Sequence, residues 1–182
     1  MGTPTARARR PAAHWIPKDA PAMAKFLLSL HVLVSVLFIG PVAVAVSMFP
    51  RRAKAALAAG PDRASDAGVL RVLHRITQVY ALLGVSVPVL GIGLAQVMDV
   101  LGQSWLIVSM VLTAVAALSL LLFVLPGQQA AVDALDLEPS DERHAKALGG
   151  LKTLPMTAGL FNLLWAVVVV LMVIRPGSST GV

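Results

Sequence analysis

The chain has 182 residues, 57% of them hydrophobic and only 13% charged, with a formal net charge of +6. A soluble domain normally carries about twice that charged fraction, so an ordinary water-soluble globule is excluded if the apolar residues fall in membrane-length blocks. The absence of cysteine excludes disulfides, thiolate metal sites and cysteine nucleophiles together.

Residues 1–24 form a basic, proline-containing tail with Arg7, Arg9, Arg10, Lys18 and Trp15. Its prolines oppose a continuous helix. The basic side chains suit anionic headgroups or the acidic surface of a partner, with Trp15 at the interface; a solvated, disordered tail fits the composition as well. The opening "MGTPTA" has Ala6 where an acylation signal needs Ser or Thr.

Four uncharged blocks follow: Phe26–Pro50, Ile76–Met98, Trp105–Leu125 and Leu154–Ile174. A helix needs roughly 20 residues to cross about 30 Å of hydrocarbon. Each block is long enough. The expectation is an all-α membrane protein, an antiparallel four-helix transmembrane bundle over residues 25–175, with helices at about 25–50, 75–98, 104–126 and 153–175. The first block is longer and later than the core of a cleaved signal peptide, so it reads as a retained helix.

Helix 1 carries one imidazole, His31, and a proline, Pro41. Loop 1, residues 51–75, has six basic residues. Helix 2 places Ala81, Gly84, Pro88, Gly91 and Ala95 at spacings of three and four, a small-residue face suited to close helix packing. Pro41 and Pro88 are expected to kink their helices. "DVLGQS" joins helices 2 and 3 as a tight hairpin. In loop 3, "QQAAVDAL" reads as a helical extension of helix 3, and "EPSDER" as a turn followed by a new helix start. Helix 4 repeats the small face with Gly159, Asn162 and Ala166; helix 1 has Gly40, Ala43 and Ser47. Residues 176–182 form a short C-terminal tail. Loops 1 and 3 carry more Lys and Arg than the tails and loop 2, which favours those loops in the cytoplasm of a cell membrane and both termini outside.

An imidazole inside an apolar helix needs a partner for its N–H, since leaving it unpaired costs about 1–3 kcal/mol. The plainer reading makes His31 a hydrogen-bonding residue at a helix contact, with Ser35, Gln96, Asp99 and Ser109 at similar depth. The sharper reading makes it an axial ligand of a b-type haem, or part of a copper site with the thioethers of Met98, Met110 and Met172. His74 lies about 27 Å of helix rise away, so a bis-histidine haem is not expected. The spans contain no mid-membrane acid or lysine, which disfavours a proton pump. The net positive charge belongs to membrane-flanking segments and does not argue for nucleic acid.

Several short motifs stand together: Leu30-His31 in helix 1, "GIGLAQVMDVLGQSWLIVSMVL" across the hairpin, "LPGQQAAVDAL" after helix 3 and "VLMVIRPG" at the end. With its Trp-Leu opening to helix 3 and its Met-x-x-Arg-Pro-Gly ending, the chain resembles, over about residues 24–177, a bacterial family of four-helix predicted integral membrane proteins of unknown function. It departs from the pattern at Phe38-Ile39-Gly40-Pro41, where many members have a Trp and paired glycines. More distantly, the Leu-His opening is similar to that of copper-resistance membrane proteins and of the membrane protoporphyrinogen oxidase family, which use helix histidines; only His31 carries over. The resemblance implies the fold and no activity.

Three functions follow as expectations. The first is a non-catalytic accessory or scaffolding subunit of a larger membrane assembly, such as a respiratory-chain supercomplex, with the lipid bilayer and other membrane subunits as partners. The second is a haem- or copper-binding membrane protein using His31. The third is a small-solute transporter hinged at Pro41 and Pro88.

Overall fold

The computed structural model describes residues 20–58 and 63–177, and among these every regular element is helical. Arg7, Arg9, Arg10 and Trp15 lie outside the described residues. The helices are α1 (Ala20–Leu57), α2 (Arg63–Gly84), α3 (Ser86–Val97), α4 (Ser104–Ser119), α5 (Leu125–Asp133), α6 (Glu142–Gly150) and α7 (Leu154–Ile174). A π-helical turn, Leu120–Val124, joins α4 to α5, and a 3-10 turn, Ala134–Asp136, follows α5. Grouped by continuity, they give four rods long and apolar enough to cross a membrane: Ala22–Leu57, Arg63–Val97, Ser104–Asp136 and Glu142–Ile174.

These rods are longer than a bilayer's hydrocarbon core requires. The 38 residues of α1 rise about 57 Å, nearly twice a hydrocarbon core of about 30 Å. The expected boundaries at 50 and 75 are therefore corrected. The first helix continues through Pro50 to Leu57, and the second begins at Arg63 rather than 75. An uncharged block ends where charge begins, but a helix does not. In the first turns of α2 the residues Leu70, Leu73 and His74 are buried while Arg71 and Arg75 face out. One face still packs, so the helix persists beyond the apolar block.

Prolines explain the irregularities, though not all alike. Pro88 has no N–H for the Gly84 carbonyl and its ring crowds that carbonyl. The hydrogen bonding is interrupted there while the rod continues: α2 ends at Gly84, Val85 is a turn residue with helical dihedrals, and α3 starts at Ser86. Val85 N–H bonds the Leu82 carbonyl at 3.2 Å, and the Ser86 hydroxyl donates to the Leu83 carbonyl at 2.6 Å. The π turn lies immediately upstream of Pro126, with the Leu125 N–H reaching back to Leu120; this widening relieves the same clash at Leu122. At Pro41 the expected kink takes no such form, and α1 is helical throughout.

Packing is densest at the loop end. Phe49, Ala53, Leu70, Ala131, Leu151 and Leu154 belong to one buried cluster that draws on α1, α2, α5 and the start of α7. A second, around Val42, Val46, Leu120, Val124 and Phe161, fills the middle. At the hairpin end only Ala95, Trp105 and Leu106 form a cluster, backed by Val100 and Met172. Loop 3 keeps its expected form: α5 extends the third rod, and a fresh helix starts at Glu142 after a turn. Asp141 caps it, accepting from the Arg143 N–H at 2.8 Å. The Arg143 side chain beside it holds this exposed carboxyl below the usual aspartate range.

Candidate ligand site around His31

The thinning of the core at the hairpin end leaves space. One cavity of about 470 Å³ is lined from α1, α3, α4 and α7, and a neighbour of about 280 Å³ shares its wall. His31, Ser35, Gly91, Ala95, Leu106 and Met172 line both. Small residues of α3 line this space, Ala95 beside Trp105 and Leu106 of α4 and Gly91 against His31 of α1. Both volumes greatly exceed a single water site.

His31 is 7% exposed, and its ring lies against the bare Cα of Gly91. A Cβ on Gly91 would stand 3.0 Å from the imidazole Cε1 and 3.6 Å from Nδ1. The expectation that polar neighbours would bond the ring is not met. Ser35 turns back on its own helix, donating to the His31 carbonyl at 2.6 Å. Ser109 likewise donates to the Trp105 carbonyl at 2.8 Å. Gln96 and Asp99 are exposed. The Val87 carbonyl of α3 lies close enough to accept a weak hydrogen bond from the ring, but Nδ1 is buried and makes no hydrogen bond of good geometry. The indole Nε1 of Trp165, on the wall of the second cavity, is also buried without one.

The expected methionines gather here. Met98 and Met172 line the first cavity, Met110 and Met172 the second. One imidazole and nearby thioethers form a donor set of the soft kind that Cu(I) accepts. No group of three or more His, Asp or Glu suited to a metal occurs among the described residues. Among the described residues no second imidazole lines either cavity. His74 is committed elsewhere, its Nδ1 3.1 Å from Gln128 Oε1 and its Nε2 2.8 Å from Gln129 Oε1.

The sequence motifs converge. His31 of the Leu-His pair, Gly91, Trp105-Leu106 and the Met172 and Arg175 of the closing motif all line the first cavity. Arg175 caps α7 in the left-handed conformation, φ 47°, with its guanidinium carbon 5.7 Å from the centre of the Trp105 ring. Sequence reasoning noted Trp105 and Arg175 only as motif letters; the register that brings them opposite His31 is tertiary.

The other expected packing residues divide. Gly84 sits against Ile39, whose Cδ1 would be 3.4 Å from an added Cβ, and Pro88 lines the second cavity. Asn162 donates to the Ser47 hydroxyl across α1 and α7 at 2.8 Å. Gly159 and Gly40 are exposed, with nothing within 4 Å of an added Cβ. No family model matches the chain, and neither a curated protein nor a solved structure is significantly similar to it.

Proposed function

We propose that this chain is a membrane-embedded binding protein, a four-helix bundle that holds a lipid-soluble molecule in the cavities beside His31. The observation that carries the reading is the buried imidazole with an unpartnered Nδ1 at a wall common to both cavities. An unpaired buried polar group costs about 1–3 kcal/mol, a cost that a bound polar atom would remove. Sites for small molecules are typically about 300–1,000 Å³, mostly apolar, with few polar groups. A haem held by one axial imidazole, or copper held by His31 and thioethers, is the cofactor form of the same reading.

The test is purification of the tagged full chain in mild detergent, followed by an absorption spectrum, metal analysis and mass spectrometry of extracted small molecules. A stoichiometric molecule or chromophore is expected with the native chain and depleted with His31→Leu. A chain that retains nothing beyond bulk lipid in either form would overturn the reading.

The accessory-subunit reading has its own support. Gly40, Ser47, Gly159 and Ala166 are exposed along the α1–α7 seam, small residues of the kind that let another membrane helix approach closely. Under that reading Gly159→Leu strips co-purifying membrane subunits from the complex while the small-molecule content is unchanged. Extraction as a lone monomer under gentle conditions would exclude it.

A further inference from the structure

The shape and charge of the first cavity specify more than a lipid-soluble molecule. Its rim includes Val32, Val36 and Val173, which are 52%, 70% and 74% exposed. On a bundle that spans the bilayer these faces meet lipid, so the cavity opens sideways between α1 and α7. A ligand enters from the acyl-chain region.

The remaining wall is apolar except for His31, Ser35 and, at one end, Arg175. The three ion pairs among the described residues use Arg52, Arg71 and Arg143, and none uses Arg175. Its Nε donates to the Met172 carbonyl at 3.3 Å, which leaves the terminal nitrogens of the fork without a described partner. The position is also defined from the other side. Trp105, whose ring faces the guanidinium, is itself tethered by its Nε1–H to Gln103 Oε1. The backbone at Arg175 is left-handed, a conformation that is strained for a non-glycine residue and that glycine would adopt freely. An arginine in this place supplies a cation at the end of the last span, the level at which lipid headgroups lie. Guanidinium is the side chain whose fixed donors match an oxyanion with two parallel bonds.

Resting on the binding reading above, we infer that the ligand is an anionic amphiphile. Its carboxylate or phosphate pairs with Arg175 beside Trp105, and its chain runs down the cavity past Met172 to the His31–Gly91 wall, where a polar atom along that chain, such as an ester carbonyl or hydroxyl, meets the imidazole. A free fatty acid and a phospholipid share this chemistry, and the test separates them.

The experiment uses the full chain in nanodiscs of neutral phosphatidylcholine and measures immobilisation of spin-labelled stearate, its methyl ester, and spin-labelled phosphatidic acid. At a pH where the carboxylate is ionised, stearate is expected to bind saturably and about tenfold or more tightly than the ester, the worth of a charge-assisted hydrogen bond. Arg175→Asn keeps a residue that tolerates the left-handed backbone and should bring acid and ester to equal affinity; Arg175→Lys should restore most of the preference. Gly91→Leu, which fills the cavity wall, should abolish binding of both. Tighter binding of phosphatidic acid than of stearate would assign the oxyanion to a phospholipid head, and the reverse to a free acid. Equal binding of acid and ester by the native chain would overturn the anionic-head inference while leaving the cavity reading standing. No saturable immobilisation of any of the three would overturn both. Because the acid–ester comparison is made on the native chain, it holds even if a variant fails to fold.

Discussion

Two glycines show how a residue's surroundings decide the sign of a substitution. Gly-to-Ala inside a helix gains up to about 1 kcal/mol of helix propensity. At Gly91 the new methyl would press on an imidazole that has open cavity beside it, so the ring gives way. Gly91→Ala should leave thermal stability within about 1 kcal/mol of native while displacing His31 and weakening ligand retention. At Gly127 the methyl would lie 2.8 Å from Leu154 Cδ2, and Leu154 is 4% exposed inside the densest cluster. Overpacking there costs about 1–3 kcal/mol, which exceeds the propensity gain, so Gly127→Ala should lower the melting point in detergent. Equal melting shifts for the two variants would refute the distinction. His74 belongs at the same scale. Gln129 donates to Asp133 Oδ1 at 2.7 Å, which fixes its oxygen toward His74, and Gln128 is fully buried with its own Nε2 unpaired. His74→Ala leaves two amides without their imidazole and should destabilise the bundle by roughly 1–3 kcal/mol. His74→Leu combined with Gln128→Leu should cost less than the sum of the singles, measured as a double-mutant cycle. Additive losses would show that the pair is not coupled.

At the scale of elements, the four spans were legible because hydrocarbon admits so few alternatives. An uncharged block of sufficient length has to be a helix there. Their ends were not legible from the same signal. Beyond the hydrocarbon a helix needs only one packed face, and α1 past Pro50 and α2 before residue 75 keep one with Ala53, Ala56, Leu70 and Leu73. The two prolines of the hinge hypothesis show the same limit, since α1 stays helical through Pro41 while helical hydrogen bonding is interrupted at Val85, just before Pro88. Three residues beyond Pro88, Gly91 meets His31. Pro88→Ala restores the N–H for the Gly84 carbonyl and removes a penalty of about 3 kcal/mol, so helical hydrogen bonding should run uninterrupted through Val85 and lengthen that stretch of the rod. Spin labels at Arg71 and Gln96 should then move apart, and the His31 site should lose its ligand. An unchanged distance distribution would mean that packing, and not Pro88, sets the geometry of the α2–α3 junction. The candidate site was half visible for a related reason. A lone imidazole in an apolar run announces itself, whereas the glycine it rests on and the arginine across the cavity are fixed by interhelical register, which no single segment encodes.

The whole molecule is a bundle with two unlike ends. Toward the loops it is held by a dense cluster that extends beyond hydrocarbon thickness; toward the hairpin it opens around His31. Burial alone does not distinguish these ends, since Ala95 at 3% and Ala116 at 0% exposure are both enclosed. What differs is the neighbourhood. Ala95 lines both cavities, whereas Ala116 is packed among Val42, Leu120 and Phe161. The absence of native cysteine makes the contrast measurable, because a single introduced thiol is the only one present. Reaching Ala95→Cys requires only that a reagent enter existing space, whereas reaching Ala116→Cys requires the core to open, and opening of core segments approaches the free energy of global unfolding. A small lipid-soluble maleimide should therefore label Ala95→Cys on the order of tenfold or more faster than Ala116→Cys in bilayers, and a bulky dye should label neither. An occupant of the cavity would slow the first rate and leave the second alone, so the ratio reports both the opening and its filling. Equal rates for the two thiols with the small reagent would mean that the helices close over His31 in the membrane, and the binding reading would fall with the cavity.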